Sequence, residues 1–218
     1  MSSRAYARSA AGVPERATRK PVEWGIATRR RPGEAANGDL AVVAPLPEGT
    51  LFAAIDGVGH GAEAAHAARR AGEVVRHCPS PDLVLMAERC HDALRDTRGA
   101  AISLALVSPV TNAMTWLGVG SVEGRVVSGD PSATRLKGFL ALGNGVPGHQ
   151  LPGVRAATVG VLPGDVLVLA TDGIEARFGD SLDTSGSPQA ISDRILSDHG
   201  RPTDDALVVT VRYLGLRP

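Results

Sequence analysis

Residues 51–67, LFAAIDGVGHGAEAAHA, restrict the possible folds more than any other stretch. The apolar run 51–55 has the length and residue types of a buried strand. It ends on Asp56, glycines follow at 57, 59 and 61, and an alanine-rich pattern of helical spacing begins directly after. A strand that stops on an acid and turns at once into a helix holds that carboxylate on a rigid end facing a loop. The glycines allow a tight bend and a close backbone approach to a ligand. The helix N-terminus aims its amides at the same place, which favours an anion. Taken alone, Asp56 reads equally well as an acid that caps the helix.

The rest of the chain supplies more strands than helices. Runs 22–28 and 39–44 read as short strands joined by the basic loop RRRPGEAANG. Small and apolar residues at 64, 65, 68, 71, 74 and 75 predict a helix over 63–77, and its many alanines imply a close approach to a sheet. A second helix is predicted over 82–97. From residue 101 short apolar runs at 101–107, 114–119 and 125–128 alternate with turn residues, as in an antiparallel meander. Further strands are expected at 154–161, 165–170 and 206–213, with a helix near 188–197. Residues 136–152 carry Gly138, Gly143, Gly145 and Gly148 and read as a surface flap. Strands, then helices, then strands argue for an α+β layered domain and against a Rossmann-type parallel sheet. Residues 1–20, rich in Ser, Ala and Arg, read as a disordered basic arm. Residues 21–218 then form one domain.

Composition removes several function classes. Lys and Arg number 23 against 23 Asp and Glu, so no global field recruits nucleic acid or an anionic membrane. Aromatic residues make up 3%, too few for a base-stacking platform. Cys78 and Cys90 form no CxxC or Cys/His cluster, which argues for reduced thiols and against zinc. No apolar run reaches the ~18 residues of a membrane span, and the start lacks a signal-peptide core. The expectation is a soluble, cytoplasmic protein.

Acids at the ends of three further strands sit where Asp56 does. Asp39 opens a strand after Gly38, Asp172 ends the run VLVLATDG, and Asp204 and Asp205 precede the last strand, ALVVTVRY. Each could cap a turn, but the set, with two Asp-Gly pairs, suggests an all-oxygen metal site. Carboxylates and a carbonyl without His or Cys partners suit Mg²⁺ or Mn²⁺. Grouped carboxylates otherwise repel one another and need cations or protons to coexist.

The motifs NGDLAVV, IDGVGHGAEAA, ATDGIE and TDDALVV, in this order, resemble the PPM (type 2C-like) family of metal-dependent serine/threonine protein phosphatases. The segment ERCHDALRDTRGAAISLALV, followed by a GFL-containing loop, is similar to the RsbX-like stressosome branch of the SpoIIE-like group. The likeness covers roughly residues 20–215. It implies a four-layer α-β-β-α sandwich of two antiparallel sheets flanked by helices. It also implies two Mn²⁺ or Mg²⁺ ions, with a third conceivable beside Asp39. By that likeness Asp56 bridges the ions, the Gly57 carbonyl ligates one, and Asp172 and Asp204 hold the other. The family's Asp-[Asp/Asn]-x-[Ser/Thr] pattern favours Asp204 over Asp205, but Leu207 departs from its hydroxyl position, so both acids stay candidates. Val58 stands where many eukaryotic members carry a general-acid His. The proton for the serine leaving group then comes from a metal-bound water or from His60, which reads more readily as a loop histidine. A phosphate-binding Arg is expected near the first strand, with Arg29 and Arg30 as candidates beside Arg31.

The implied substrate is a phosphorylated STAS-domain protein of a stressosome-type pathway. Two competing readings are a GHKL-type serine kinase and a catalytically silent phosphatase fold that acts as a binding module. The kinase loop spaces its glycines at the second and fourth positions after the acid, whereas here they fall at the first, third and fifth. The intact acids argue against the silent module.

Overall fold

The computed structural model describes residues 21–130, 136–151, 153–180 and 182–216. The arm expected over 1–20 lies outside the described residues. Strand β3 (Gly49–Gly57) shows how the layers arise. Its run alternates between two cores: Leu51, Ala53 and Ile55 face a helix layer, while Phe52 and Ala54 face the other sheet. Both faces are covered, so the strand reads as a continuous apolar run.

The helix layer on β3 consists of α1 (Gly61–His77) and α2 (Leu83–Ala93). α1 turns Ala64, Ala67, Ala68 and Ala71 toward the sheet. Such small side chains bring the helix backbone close to the strands, as its alanine content predicted. α2 starts where Asp82 accepts hydrogen bonds from the Val84 and Leu85 amides, and it ends earlier than its pattern suggested. The cap satisfies amides that the first helical turn leaves without partners.

The sheet that carries β3 has the order β2-β3-β4-β5-β8, with β9 pairing β5 as well. Its members are β2 (Asp39–Leu46), β4 (Ala100–Ser108), β5 (Ala113–Val119), β8 (Leu142–Gly143) and β9 (Ala157–Gly160). The second sheet has the order β1-β11-β10-β6-β7. It comprises β1 (Val22–Arg29), β6 (Glu123–Val127), β7 (Leu136–Phe139), β10 (Val166–Ala170) and β11 (Ala206–Tyr213). In β10, Leu167 and Leu169 face the first sheet, whereas Val166, Val168 and Ala170 face α3 (Pro188–His199). α3 begins where the Ser187 hydroxyl accepts from the Ala190 amide, with Pro188 in the first turn. The result is the expected α+β sandwich, helices outside two sheets.

Two details differ from the expectation. The β5–β8 ladder is parallel, the others antiparallel. The glycine-rich segment expected as a surface flap also carries two short strands within residues 136–151. β7 joins the edge of one sheet, β8 joins the other, and the segment crosses between them. Beyond β8, the Ala100 amide donates to the Pro147 carbonyl, and the Gly148 amide donates to His91 Nδ1 on α2. The short strands escape sequence patterns because β7 has four residues and β8 two, too few to show an alternation.

Candidate metal centre

The antiparallel registers gather the acids. β2 begins and β3 ends at the same edge, which pairs Asp39 directly with Asp56. Ala170 pairs with Val208, so Asp172 just past β10 and Asp204 just before β11 emerge at one end of the other sheet. Both ends open on one cavity of about 540 Å³, lined by Asp39, Asp56, Asp172, Asp204 and Asp205. Arg31, His60, Ser121 and Val146 are also in its wall.

Like charges directly opposed across a ladder are unfavourable, and burial adds to the cost. Burial and then the Asp56 carboxylate push Asp39 up to about 8. Burial and then Asp172 push Asp56 up to about 7. Asp172 is raised too, by burial and then by Asp204, against the opposing Arg201 charge. Two hydroxyls hold these carboxylates. Ser121 Oγ donates to Asp56 Oδ2 at 3.1 Å. Thr171 Oγ1 takes the Leu207 amide proton at 2.9 Å and donates to Asp39 Oδ2 at 2.7 Å. Thr171 stands inside the ATDGIE motif without a role assigned to it, and Ser121, after a glycine between two strands, lies in none of the motifs.

The paired acids before β11 have different surroundings. Asp205 is buried, and its carboxylate accepts the Arg31 amide at 2.8 Å and the Gly38 amide at 2.9 Å. Asp204 contacts through its carboxylate only the Asp205 amide, at 3.0 Å, among the hydrogen bonds of the described residues. Gly57 is not among the cavity-lining residues. Its amide donates to the Gly38 carbonyl at 3.0 Å, and a Cβ there would lie 2.0 Å from the Ala64 carbonyl oxygen of α1.

The arginine expectation is revised. Arg29 donates to the Arg201 carbonyl and Arg30 to the Ala35 carbonyl, and neither lines the cavity. Arg31 does line it, and among the described residues its guanidinium has no hydrogen-bond or ion-pair partner. His60, at the N-cap position of α1, makes no side-chain cap bond. Instead its Nδ1 lies 2.5 Å from Glu34 Oε1 at the cavity rim. A histidine held through one nitrogen by a carboxylate can exchange a proton through the other.

No three His, Cys, Asp or Glu side chains among the described residues close into a tight cluster that could hold a metal ion. The acids instead stand around a roomy cavity, an arrangement suited to Mg²⁺ or Mn²⁺ that keeps part of its water. The donors are oxygens, and the raised aspartates mark negative charge that only protons or cations can offset. On both counts the residues fit divalent cations with a preference for oxygen.

Residues 47–214, most of the chain, match the stage II sporulation protein E (SpoIIE) family. The chain belongs to the SpoIIE family. No curated protein matches it. A structure from work on the bacterial stressosome, described as a modular system adapted to control secondary messenger signalling, is 29% identical with a TM-score of 0.78. The alignment covers 88% of this SpoIIE-family chain and 99% of that one. RsbX in complex with magnesium shares 21% identity at a TM-score of 0.78, over 88% of this chain and 95% of its own. The catalytic domain of the serine/threonine phosphatase PstP, in complex with two manganese ions, is 15% identical at a TM-score of 0.62. That match covers 88% of this chain and 98% of PstP's. The SpoIIE-family chain therefore has the PPM (type 2C-like) phosphatase fold. Among the described residues no helix is long and apolar enough to cross a membrane.

Proposed function

We propose that this chain is a metal-dependent protein serine/threonine phosphatase. The observation that carries the reading is the meeting of Asp39, Asp56, Asp172 and Asp204, from the ends of both sheets, around one cavity that Arg31 also lines. Asp56, Asp172 and Asp204 would hold the Mn²⁺ or Mg²⁺ ions, with Asp39 in a peripheral part. The Gly57 carbonyl, next along the strand from Asp56, is the proposed backbone ligand. Bound cations of this kind supply activation of water for attack on phosphorus and offset charge on the phosphoryl oxygens.

The chain's own groups do the rest. Ser121 and Thr171 each fix one carboxylate oxygen, on Asp56 and Asp39 respectively. Arg31 orients the phosphoryl group, since a guanidinium matches two phosphate oxygens at once. His60, steadied by Glu34, is placed to give a proton to the departing serine oxygen. No cysteine nucleophile is required. Burial pushes the Cys90 thiol up to about 12, which makes it a poor one.

The proposed substrate is a phosphorylated STAS-domain protein of a stressosome-type pathway, a reading supported by the 29% identity to the stressosome structure. The test compares kcat/KM for a phosphorylated STAS-domain protein and an unrelated phosphopeptide. The expected ratio favours the STAS protein by at least ~10-fold, within the range that pocket contacts supply. Equal values would overturn the substrate assignment.

A further inference from the structure

We infer that Asp205 is a positioning residue that sets Arg31 toward the cavity, and is not a metal ligand like its neighbour Asp204. The inference rests on the phosphatase reading. Asp205 is 5% exposed, and its two carboxylate oxygens receive amides from opposite ends of the loop between β1 and β2. Oδ1 takes the Arg31 amide and Oδ2 the Gly38 amide, so one side chain from the start of β11 closes that loop. Buried carboxylates that accept backbone amides make strong, charge-assisted hydrogen bonds.

Gly38 is part of the same device. A Cβ at this position would lie 2.9 Å from the Ala64 Cβ and 3.1 Å from Asp205 Oδ2, so any larger residue would press on the carboxylate it binds. The Gly38 carbonyl meanwhile accepts the Gly57 amide, which ties the loop to the end of β3. Of three consecutive arginines, only the one whose amide Asp205 holds lines the cavity. Its guanidinium stays available because Asp205 engages the backbone amide and makes no ion pair with the side chain. The adjacent acids thus divide the work: Asp204 faces cations, and Asp205 fixes the residue that meets the anion.

The test is a double-mutant cycle read by calorimetry of inorganic phosphate binding to the Mn²⁺-loaded protein. Arg31→Ala and Asp205→Ala should each weaken phosphate at least ~10-fold, the scale of one lost charge-assisted contact. The double variant should bind phosphate about as weakly as either single one, because the two residues act as a unit. Mn²⁺ affinity should stay near wild type in Asp205→Ala and fall in Asp204→Ala. Amide hydrogen exchange at Arg31 and Gly38 should speed up in Asp205→Ala. If that variant does not fold, Asp205→Asn carries the test, since it keeps one acceptor and should give an intermediate loss of phosphate affinity. Additive losses, or lost Mn²⁺ affinity with phosphate binding unchanged, would overturn the proposal. Phosphate binding and amide exchange need no turnover. A wild-type protein without metal-dependent hydrolysis would therefore count against the phosphatase reading alone.

Discussion

Asp56→Asn should reduce turnover at least ~10³-fold, the scale of removing a principal electrostatic element from a catalytic site. Asparagine keeps the volume and can still accept from Ser121, but it removes the charge shared between two divalent ions. Asp172→Asn should come close to the same loss. Asp39→Asn should lose less and recover partly at high Mn²⁺, because Asp39 begins the edge strand β2 and is the peripheral acid of the proposed set. All three variants should fold. The folded, metal-free site disfavours ionised Asp56, whose value is raised from 3.8 to about 7 by burial and by Asp172. At pH 8 the neutral variant escapes that penalty, so metal-free Asp56→Asn should melt above metal-free wild type. The gain should be about 2–4 °C for each kcal/mol relieved. The measurements are kcat against Mn²⁺ concentration and melts in EDTA. A folded Asp56→Asn enzyme with near wild-type turnover would contradict the assigned role.

The second large effect is on stability. Gly57→Ala places a Cβ 2.0 Å from the Ala64 carbonyl oxygen, 2.6 Å from its carbon and 2.9 Å from Ala64 Cα. All three are backbone atoms of α1, so no side chain can swing aside, and strand and helix must part. Overpacking a well-packed core costs about 1–3 kcal/mol. A backbone clash should lie at or beyond the upper end, a fall on the order of 6–12 °C in Tm for a chain of this size. The fall should already be present in EDTA, where no cation is bound, because it arises where β3 meets α1. An unchanged Tm would show that the close approach is not a constraint on folding.

The layered fold was legible because β3 and β10 are covered on both faces and therefore read as unbroken apolar runs. The α1 alanines announced a helix lying close on a sheet, and Asp56 and Asp172 stood out as acids at the ends of such runs. What stayed hidden depends on partners remote in sequence. Thr171 and Asp39 are separated by 132 positions, Ser121 and Asp56 by 65, and no local pattern reports such pairs. Nor could sequence choose among Arg29, Arg30 and Arg31, because that choice depends on which amide the buried Asp205 holds. The same carboxylate separates Asp204 from Asp205, two neighbours identical in chemistry that differ only in direction.

The most direct test of the central claim is phosphate release from a phosphoserine protein under metal control. Activity should appear with Mn²⁺ or Mg²⁺, vanish in EDTA and return on readdition of metal. Alkylation of the exposed Cys78 should leave it unchanged, and the buried Cys90 should resist the reagent. Hydrolysis that survives chelation but is lost on alkylation would contradict the metal-dependent mechanism.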